Sequence, residues 1–317
     1  MDILYFIIQQ TMFFAIPLLI VALGGMFSER SGIVNIALEG IMVIGGFASI
    51  ALINLLQGSM SGQTLLLLAV LVAGISGGLF SILHAFASVN LKADQTISGT
   101  ALNMFAPAFA VFIARMVQGV QQIPFTDTFH ITKVPVLGDI PVLGPILFQN
   151  CYITTYLGFL IVIITAIVVN HTKFGLRLRA CGEYPQAADS VGINVAKIRY
   201  AGVIISGVLA GIGGLVFIVP TSTNFNASVA GYGFLAIAVL IFGQWRTKKV
   251  FFAAFFFGIM KTFASAYSAI PLLKDLRLSN EVYKMIPYIA TLVILAFSSK
   301  NSQAPRAEGI PYDKGSR

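Results

Sequence analysis

Charged residues are scarce in this chain of 317 residues: only 10% are Asp, Glu, Lys or Arg, whereas 57% are hydrophobic. Soluble domains carry about 25% charged residues, because their surfaces face water. The apolar residues here form continuous runs of about 20, the length that a helix needs to cross a hydrocarbon core of about 30 Å. A transmembrane barrel would instead show strands of about ten residues with alternating polarity. The sequence therefore predicts an all-α, polytopic membrane protein.

Cysteines and the common catalytic motifs are also scarce. Cys151 and Cys181 are the two cysteines, which are too few for a disulfide framework and lack metal-site spacing. The Gly-Lys dipeptide of the phosphate-binding Walker A loop is absent, as are the H-E-x-x-H and G-x-S-x-G motifs. We therefore predict no catalytic residue, no metal site and no cofactor in this chain. If the chain takes part in ATP-driven transport, the ATP would bind to another subunit.

Nine apolar segments are separated by polar breaks, and we predict a membrane-spanning helix in each of them. The segments lie near residues 3–27, 33–56, 64–90, 97–118, 151–170, 200–219, 229–244, 250–271 and 282–299. The seventh is short, and the polar residues 221–228 before it indicate either a broken or re-entrant element or an ordinary external loop. Residues 1–299 are thus predicted to form one transmembrane domain, followed by a disordered cytoplasmic tail over 300–317.

Positive charge is divided unevenly between alternate loops. Of the 20 Lys and Arg residues, fourteen fall on one side of the predicted membrane and five on the other, and Lys261 lies within a span. Lys and Arg are enriched in cytoplasmic loops, so this bias explains the net charge of +8 without nucleic acid as a partner. It predicts that segment 171–199 and the C-terminus are cytoplasmic and that the N-terminus is outside.

Polar side chains within the apolar segments are candidates for function, because a charge at the bilayer centre costs about 2.5 to 3.5 kcal/mol on insertion scales. Asn35 and Glu39 are four residues apart and share a helical face. One interpretation is that they line a solute pathway, whereas the alternative is that Glu29 pairs with Arg30 while Asn35 and Glu39 hydrogen-bond neighbouring helices. The full set of predicted lining residues is Asn35, Glu39, Asn103 and Phe105.

Other residues in the spans have simpler expected roles. Gly207 and Gly211, like Gly74 and Gly78, are four residues apart, a spacing that predicts close helix packing. His84 is expected to be packed and hydrogen-bonded rather than a ligand. Lys261 could neutralise Glu39 or face an aqueous cavity.

The predicted cytoplasmic segment contains the most specific motif. Its residues GLRLRACGEYPQAADSVGINV, which precede SGVLAGIGG, include a short amphipathic element near 183–190. The motif resembles the coupling loop of ABC-transporter permeases in the branched-chain amino acid, sugar and nucleoside importer superfamily, in which a short coupling helix docks into the ATPase. Gln186 stands where many members have Glu. The resemblance implies the coupling residues Glu183, Ala187, Ala188 and Gly192.

Two further stretches narrow the resemblance. ERSGIVNIALEGIMVIGGF at 29–47 and ADQTISGTALNMF at 93–105 are similar to segments of bacterial nucleoside importer permeases, those that work with a lipoprotein binding protein. The similarity covers about 10–299. It implies a multi-pass permease subunit in the bacterial cytoplasmic membrane that transports nucleosides. Its implied partners are an ABC ATPase subunit that binds ATP, a second homologous permease and an extracellular or lipoprotein substrate-binding protein, with membrane lipids around it.

Three alternatives to a nucleoside permease remain open. A branched-chain amino acid or sugar permease would share the fold and the coupling loop and would differ only in the cavity. A secondary transporter would need no ATPase. A membrane-embedded enzyme or receptor would need a catalytic or ligand-binding cluster that the sequence does not display.

Overall fold

The computed structural model describes residues 2–60, 62–126, 128–266, 279–298 and 303–314. This part of the chain contains eleven α-helices and four short strands. The helices are α1 Asp2–Arg30, α2 Leu38–Leu56, α3 Gln63–Val89, α4 Gln95–Gln118, α5 Ile153–His171, α6 Lys173–Glu183, α7 Pro185–Ser190, α8 Val195–Thr221, α9 Tyr232–Phe242, α10 Thr247–Ala266 and α11 Asn280–Ser298. The strands are β1 Ile123–Pro124, β2 Ile131–Lys133, β3 Gln149–Cys151 and β4 Asn224–Phe225.

Seven helices among the described residues are long and apolar enough to cross a membrane. They are α1, α2, α3, α4, α5, α8 and α10, and each coincides with a predicted span. This confirms a polytopic helical membrane protein, whereas the count of nine stays a prediction. The eighth predicted span, 250–271, ends outside the described residues. The ninth, 282–299, coincides largely with α11.

The seventh predicted span, 229–244, forms only the 11-residue helix α9. At 1.5 Å per residue, α9 rises about 16 Å, which is about half of a 30 Å hydrocarbon core. Before it, β4 pairs with β1 so that Phe225 lies opposite Ile123. The polar residues after α8 therefore belong partly to a loop with a short strand, and α9 is a half-length helix.

The bundle has two chemically distinct ends. We call the end where α1 and α5 terminate and α10 begins the basic end. The opposite end, the loop end, carries the β1–β4 pair and the β2–β3 pair, in which Ile131 lies opposite Cys151. The first part of α1 is at the loop end, since Gln9 Nε2 donates to Pro145 O at 2.6 Å. The tail residues 303–314 lie at the basic end.

Helix α8 is the centre of the bundle and packs against α1, α2 and α3. Its glycines allow the approach to α3: a Cβ at Gly207 would collide with Ser81, and one at Gly211 would collide with the carbonyl oxygen of Ala73. Gly77 of α3 faces the same crossing. The predicted role of the spaced glycines in helix packing is confirmed.

Candidate functional site

The chain between α1 and α2 is not helical, although it lies within the bundle. Its backbone groups are bonded by side chains of α3 and α4: Val34 N–H donates to Gln95 Oε1 at 2.7 Å, and His84 Nε2 lies 2.9 Å from Val34 O. Non-helical backbone is tolerated at membrane depth where protein groups satisfy it. The expectation that His84 is packed and hydrogen-bonded is confirmed, since its side chain is fully buried and Nδ1 lies 3.1 Å from Ser98 Oγ.

Asn103 of α4 fastens the beginning of α2. Its Oδ1 accepts from the Gly40 N–H at 2.7 Å, and its Nδ2 donates to Ile36 O at 2.8 Å. Asn103 is eight residues from the start of α4, a rise of about 12 Å. Both ends of the amide are therefore used to hold an irregular backbone segment inside the bundle.

Glu39 of α2 binds the N-terminus of the half-length helix α9. The Gly231 N–H donates to Oε1 at 2.9 Å, and the Gly233 N–H donates to Oε2 at 2.6 Å. A carboxylate is favourable at this position because the helix dipole is positive there. Gly231 has φ +76°, and a Cβ at Gly233 would collide with the Glu39 backbone. The left-handed backbone thus favours glycine at 231, and the close approach of Glu39 requires it at 233.

Asn35 and Phe105, the other two predicted lining residues, face different surroundings. Asn35 is fully buried and donates from Nδ2 to Ser206 Oγ at 2.9 Å, while its Oδ1 has no partner among the described residues. Phe105 is 50% exposed on the outer face of α4, where its ring stacks with Phe80 and Phe109 at centroid distances of 6.2 and 5.5 Å. The structure brings Asn35, Glu39 and Asn103 to α2 but places Phe105 away from them.

A groove of about 470 Å³ between α9 and α11 was not apparent from the sequence. Phe234 of α9 and Tyr288 and Thr291 of α11 are among its lining residues. It begins at Gly231, directly beside the Glu39 contact. The groove could not be predicted because it forms where α9 and α11 pack side by side, and no sequence motif indicates that these two helices are neighbours.

Tyr232 and Lys261 form a second feature beside the Glu39 contact. Tyr232 is buried against Phe217, with ring centroids 3.9 Å apart. Lys261 Nζ lies 5.6 Å from the centre of the Tyr232 ring, a position that permits a cation–π attraction. Lys261 was predicted either to neutralise Glu39 or to face a cavity. It lies over Tyr232, which is the residue between the two glycines that Glu39 binds.

The predicted coupling element is formed by α7 and the turn that follows it. Ala188 faces inward and packs with Cys181 and Val195, whereas Ala187 is exposed. Gly192, with φ +82° and open space around it, ends the element. The outward surface also includes Tyr184 and Val191, which are 63% and 75% exposed. Of the predicted coupling residues, Glu183, Ala187 and Gly192 are therefore exposed, whereas Ala188 is buried and holds α7 against the rest of the chain.

Glu183 and the two residues at the end of α1 form the base of this element. Arg30 Nη1 lies 3.9 Å from Glu183 Oε1 and Nη2 donates to Trp245 O at 2.8 Å. Glu29 is buried and accepts from Trp245 Nε1 at 2.5 Å. Glu29 and Arg30 therefore do not pair with each other, as one interpretation of the sequence had it. Each of them contacts Trp245 instead.

The tail differs from the disorder that we predicted for 300–317. Within its described residues, 303–314, Ala307 N–H donates to Gly182 O at 2.8 Å, and Arg199 Nη1 donates to Ile310 O at 3.1 Å. Lys314 lies 3.6 Å from Asp189 of α7. The polar composition suggested disorder, but backbone hydrogen bonds and buried Ala307 hold this segment against the coupling element.

Burial changes two ionisable groups at this surface. It raises the pKa of the Glu308 carboxyl to about 7, although Glu29 and Arg30 oppose that rise. It also raises the pKa of the Cys181 thiol to about 11. A protonated thiol is a poor nucleophile and a poor metal ligand.

Comparison with known proteins identifies the family. Residues 7–295 match the family model described as branched-chain amino acid transport system / permease component. The chain is 44% identical to the guanosine ABC transporter permease protein NupQ of Bacillus subtilis, over 100% of this chain and 99% of that protein. It is 40% identical to the nucleoside ABC transporter permease protein NupC of Lactococcus lactis, over 98% of both chains. No solved structure gives a significant match. The chain therefore belongs to the family of permease components that includes the branched-chain amino acid transport systems, and it is a membrane transport subunit rather than an enzyme.

Proposed function

We propose that this chain is the permease subunit of an ATP-driven importer that carries nucleosides across the bacterial cytoplasmic membrane. The observation that carries the proposal is similarity over the whole chain to two permeases named for guanosine and nucleoside transport, at 44% and 40% identity. Full coverage matters because solute choice depends on the membrane cavity as well as on the shared coupling loop.

ATP hydrolysis takes place on a separate ABC ATPase in this proposal. The outward surface of the coupling element, which includes Tyr184, Ala187 and Val191, would dock on that ATPase. The inward packing of Ala188 and the bonds from the tail give the element a firm connection to α1 and α8. Closure of the ATPases would then move the basic end as a unit and switch the bundle between two packings.

The half-length helix α9 is the proposed moving part of the solute pathway. Transporters form solute sites at interrupted helices near the bilayer midplane. Helix α9 is about half as long as the hydrocarbon core is thick, so one of its ends lies near the middle of the membrane. The groove beside its start is lined by Phe234, Tyr288 and the Thr291 side chain. An aromatic surface for a base and hydroxyl or amide groups for its polar edge suit a nucleoside. Asn35, Glu39 and Asn103 would support this site, and their contact with solute stays a prediction.

The basic end is cytoplasmic in this proposal, and the loop end faces an external or lipoprotein substrate-binding protein. The uneven distribution of Lys and Arg supports this orientation. A second, homologous permease would complete the pathway, since the described residues form only one bundle.

Uptake of labelled solutes tests the proposed function. A strain with this gene and a matched deletion strain are compared for guanosine, uridine, ribose and leucine. We expect uptake of the nucleosides alone to fall on deletion and to return when the gene is restored. The family description favours branched-chain amino acids as the second candidate, so selective loss of leucine uptake would support that candidate and contradict nucleoside import.

A further inference from the structure

A cleft of about 940 Å³ opens at the basic end, between the last turns of α5, the first turn of α10 and the tail. Among the described residues that line it, six are Lys or Arg and one, Glu183, is an acid. The six are Arg30, Arg179, Arg246, Lys248, Lys249 and Arg306. We propose that this basic cleft binds the phosphate headgroup of an anionic phospholipid.

Positive charge exceeds negative charge among the described residues that line the basic cleft. Only Arg30 forms a salt bridge there, at 3.9 Å from Glu183; Arg179, Arg246 and Arg306 have no acid within 4.0 Å among the described residues. Glu183 and Glu308 attract Arg30, whereas Arg179 and Arg246 repel it. Because like charges held together raise the free energy of the folded chain, a bound anion would relieve this repulsion.

The beginning of α10 adds to the positive potential. Lys248 and Lys249 are in its first turn, where the helix dipole is already positive and backbone N–H groups lack helical partners. Cations at this position destabilise a helix unless an anion is nearby. The two lysines therefore add to the repulsion that a bound anion would relieve.

The walls of the basic cleft favour a lipid over a soluble anion. Ile167 of the apolar helix α5 lines the cleft and is 51% exposed, and Ile163, one turn further into the bundle, is 57% exposed. This apolar track leads from the cations along a predicted span, where an acyl chain would lie. A free phosphate would contact the cations but not the track.

Native mass spectrometry of the full-length chain tests the proposal with phosphatidylglycerol and phosphatidylethanolamine as probes. We expect wild type to retain phosphatidylglycerol preferentially. The triple variant R246Q/K248Q/R306Q should bind it about tenfold or more weakly, because each surface cation near an anionic lipid contributes measurably. The matched control K173Q/R177Q/K197Q removes the same charge from exposed residues outside the cleft and should bind as wild type does.

Several outcomes would overturn the proposal. These are equal retention of the two lipids by wild type and an equal loss of phosphatidylglycerol in the control variant. Displacement of phosphatidylglycerol by inorganic phosphate or glycerol 3-phosphate at equal concentration would assign the cleft to a soluble anion. Unchanged lipid binding together with loss of a copurifying ATPase would assign it to a protein partner. If the triple variant does not fold, R246Q alone should still weaken binding about fivefold, and no change would contradict the proposal.

Discussion

The Gly233 N–H lies 2.6 Å from Oε2 of Glu39, although 194 residues separate the two in the sequence. This bond attaches the beginning of a half-length helix to the first turn of a full-length one. Glu39, which the sequence predicted to contact solute, therefore binds the backbone of α9. Its two oxygens are both engaged, and any contact with solute would have to compete with the α9 backbone.

The first prediction concerns Glu39. E39A should destabilise the folded chain by about 1 to 3 kcal/mol, because the Gly231 and Gly233 amides lose their partly buried acceptor. E39Q should have a smaller effect, since its carbonyl oxygen still accepts one of the two bonds. Thermal unfolding in detergent measures the loss, with D139N as the control, because the exposed carboxyl of Asp139 pairs with exposed Lys133 and surface ion pairs contribute little to stability. Unaltered unfolding of E39A combined with lost uptake would show that Glu39 serves the solute instead.

Asn103 gives a second, separate prediction. N103A leaves the Gly40 N–H and Ile36 O unpaired, so we expect a loss of about 1 to 3 kcal/mol in folding free energy and a fall in the amount of assembled complex. N170A removes an exposed amide whose bond is within its own helix and should change neither. If N103A assembles and unfolds as wild type does but transports less, Asn103 contacts solute as the sequence predicted.

The spans and the coupling helix were predictable because their signals are local. A run of about 20 apolar residues must be helical in lipid whatever its neighbours are, and the element predicted near 183–190 is observed as α7, Pro185–Ser190. The polarity of Asn35 and Glu39 likewise marked the interior of the bundle. Local signals thus located the elements and the polar residues.

The partners of those residues were not predictable because they depend on long-range contacts. Nothing near Asn103 indicates that its amide holds Gly40, 63 residues away. The order of tail residues 303–314 could not be predicted for the same reason. Composition shows that the tail has little apolar surface, but it does not show that the Gly182 and Gly32 carbonyls accept hydrogen bonds from the tail backbone. The groove at Phe234 and Tyr288 also depends on which helices become neighbours.

Gly192 provides a prediction about coupling. G192A forces a side chain into φ +82°, which should cost about 1 kcal/mol and distort the end of α7. We expect reduced transport-coupled ATPase activity with unchanged solute capture by the binding protein. G119A has the same strain at the loop end, with φ +73° and open space, and serves as the matched control. Equal losses in the two variants would mean that strain alone, and not the coupling element, lowers activity.

Glu308 predicts that the packing of the tail depends on pH. Its folded-state pKa of about 7 is above the ordinary value of 4.5, so the packed state holds the proton more tightly than the released state does. The contribution to packing is therefore complete below about pH 4.5, decreases as pH rises towards 7, and is lost above that value. Protease cleavage within 303–314 should become faster over this range in wild type. E308Q, which cannot ionise at this position, should weaken this dependence, and an unchanged pH profile in E308Q would contradict the assignment.

The last prediction concerns which end of the bundle faces the cytoplasm. The fold separates the two ends, but it does not by itself say which of them is inside. The start of α1 is at the loop end and the tail is at the basic end, so the two must be on opposite sides of the membrane. We expect single cysteines at Val136 and Ser190 to be labelled from outside and from inside intact cells, respectively. Both positions are exposed, with Val136 at 80%, while Cys151 and Cys181 are buried and free and should give little background. A cysteine at the exposed tail residue Gln303 should behave like the one at Ser190, because both lie at the basic end. Labelling of Ser190→Cys from outside would reverse the orientation, and it would place the coupling element where no ATPase could reach it.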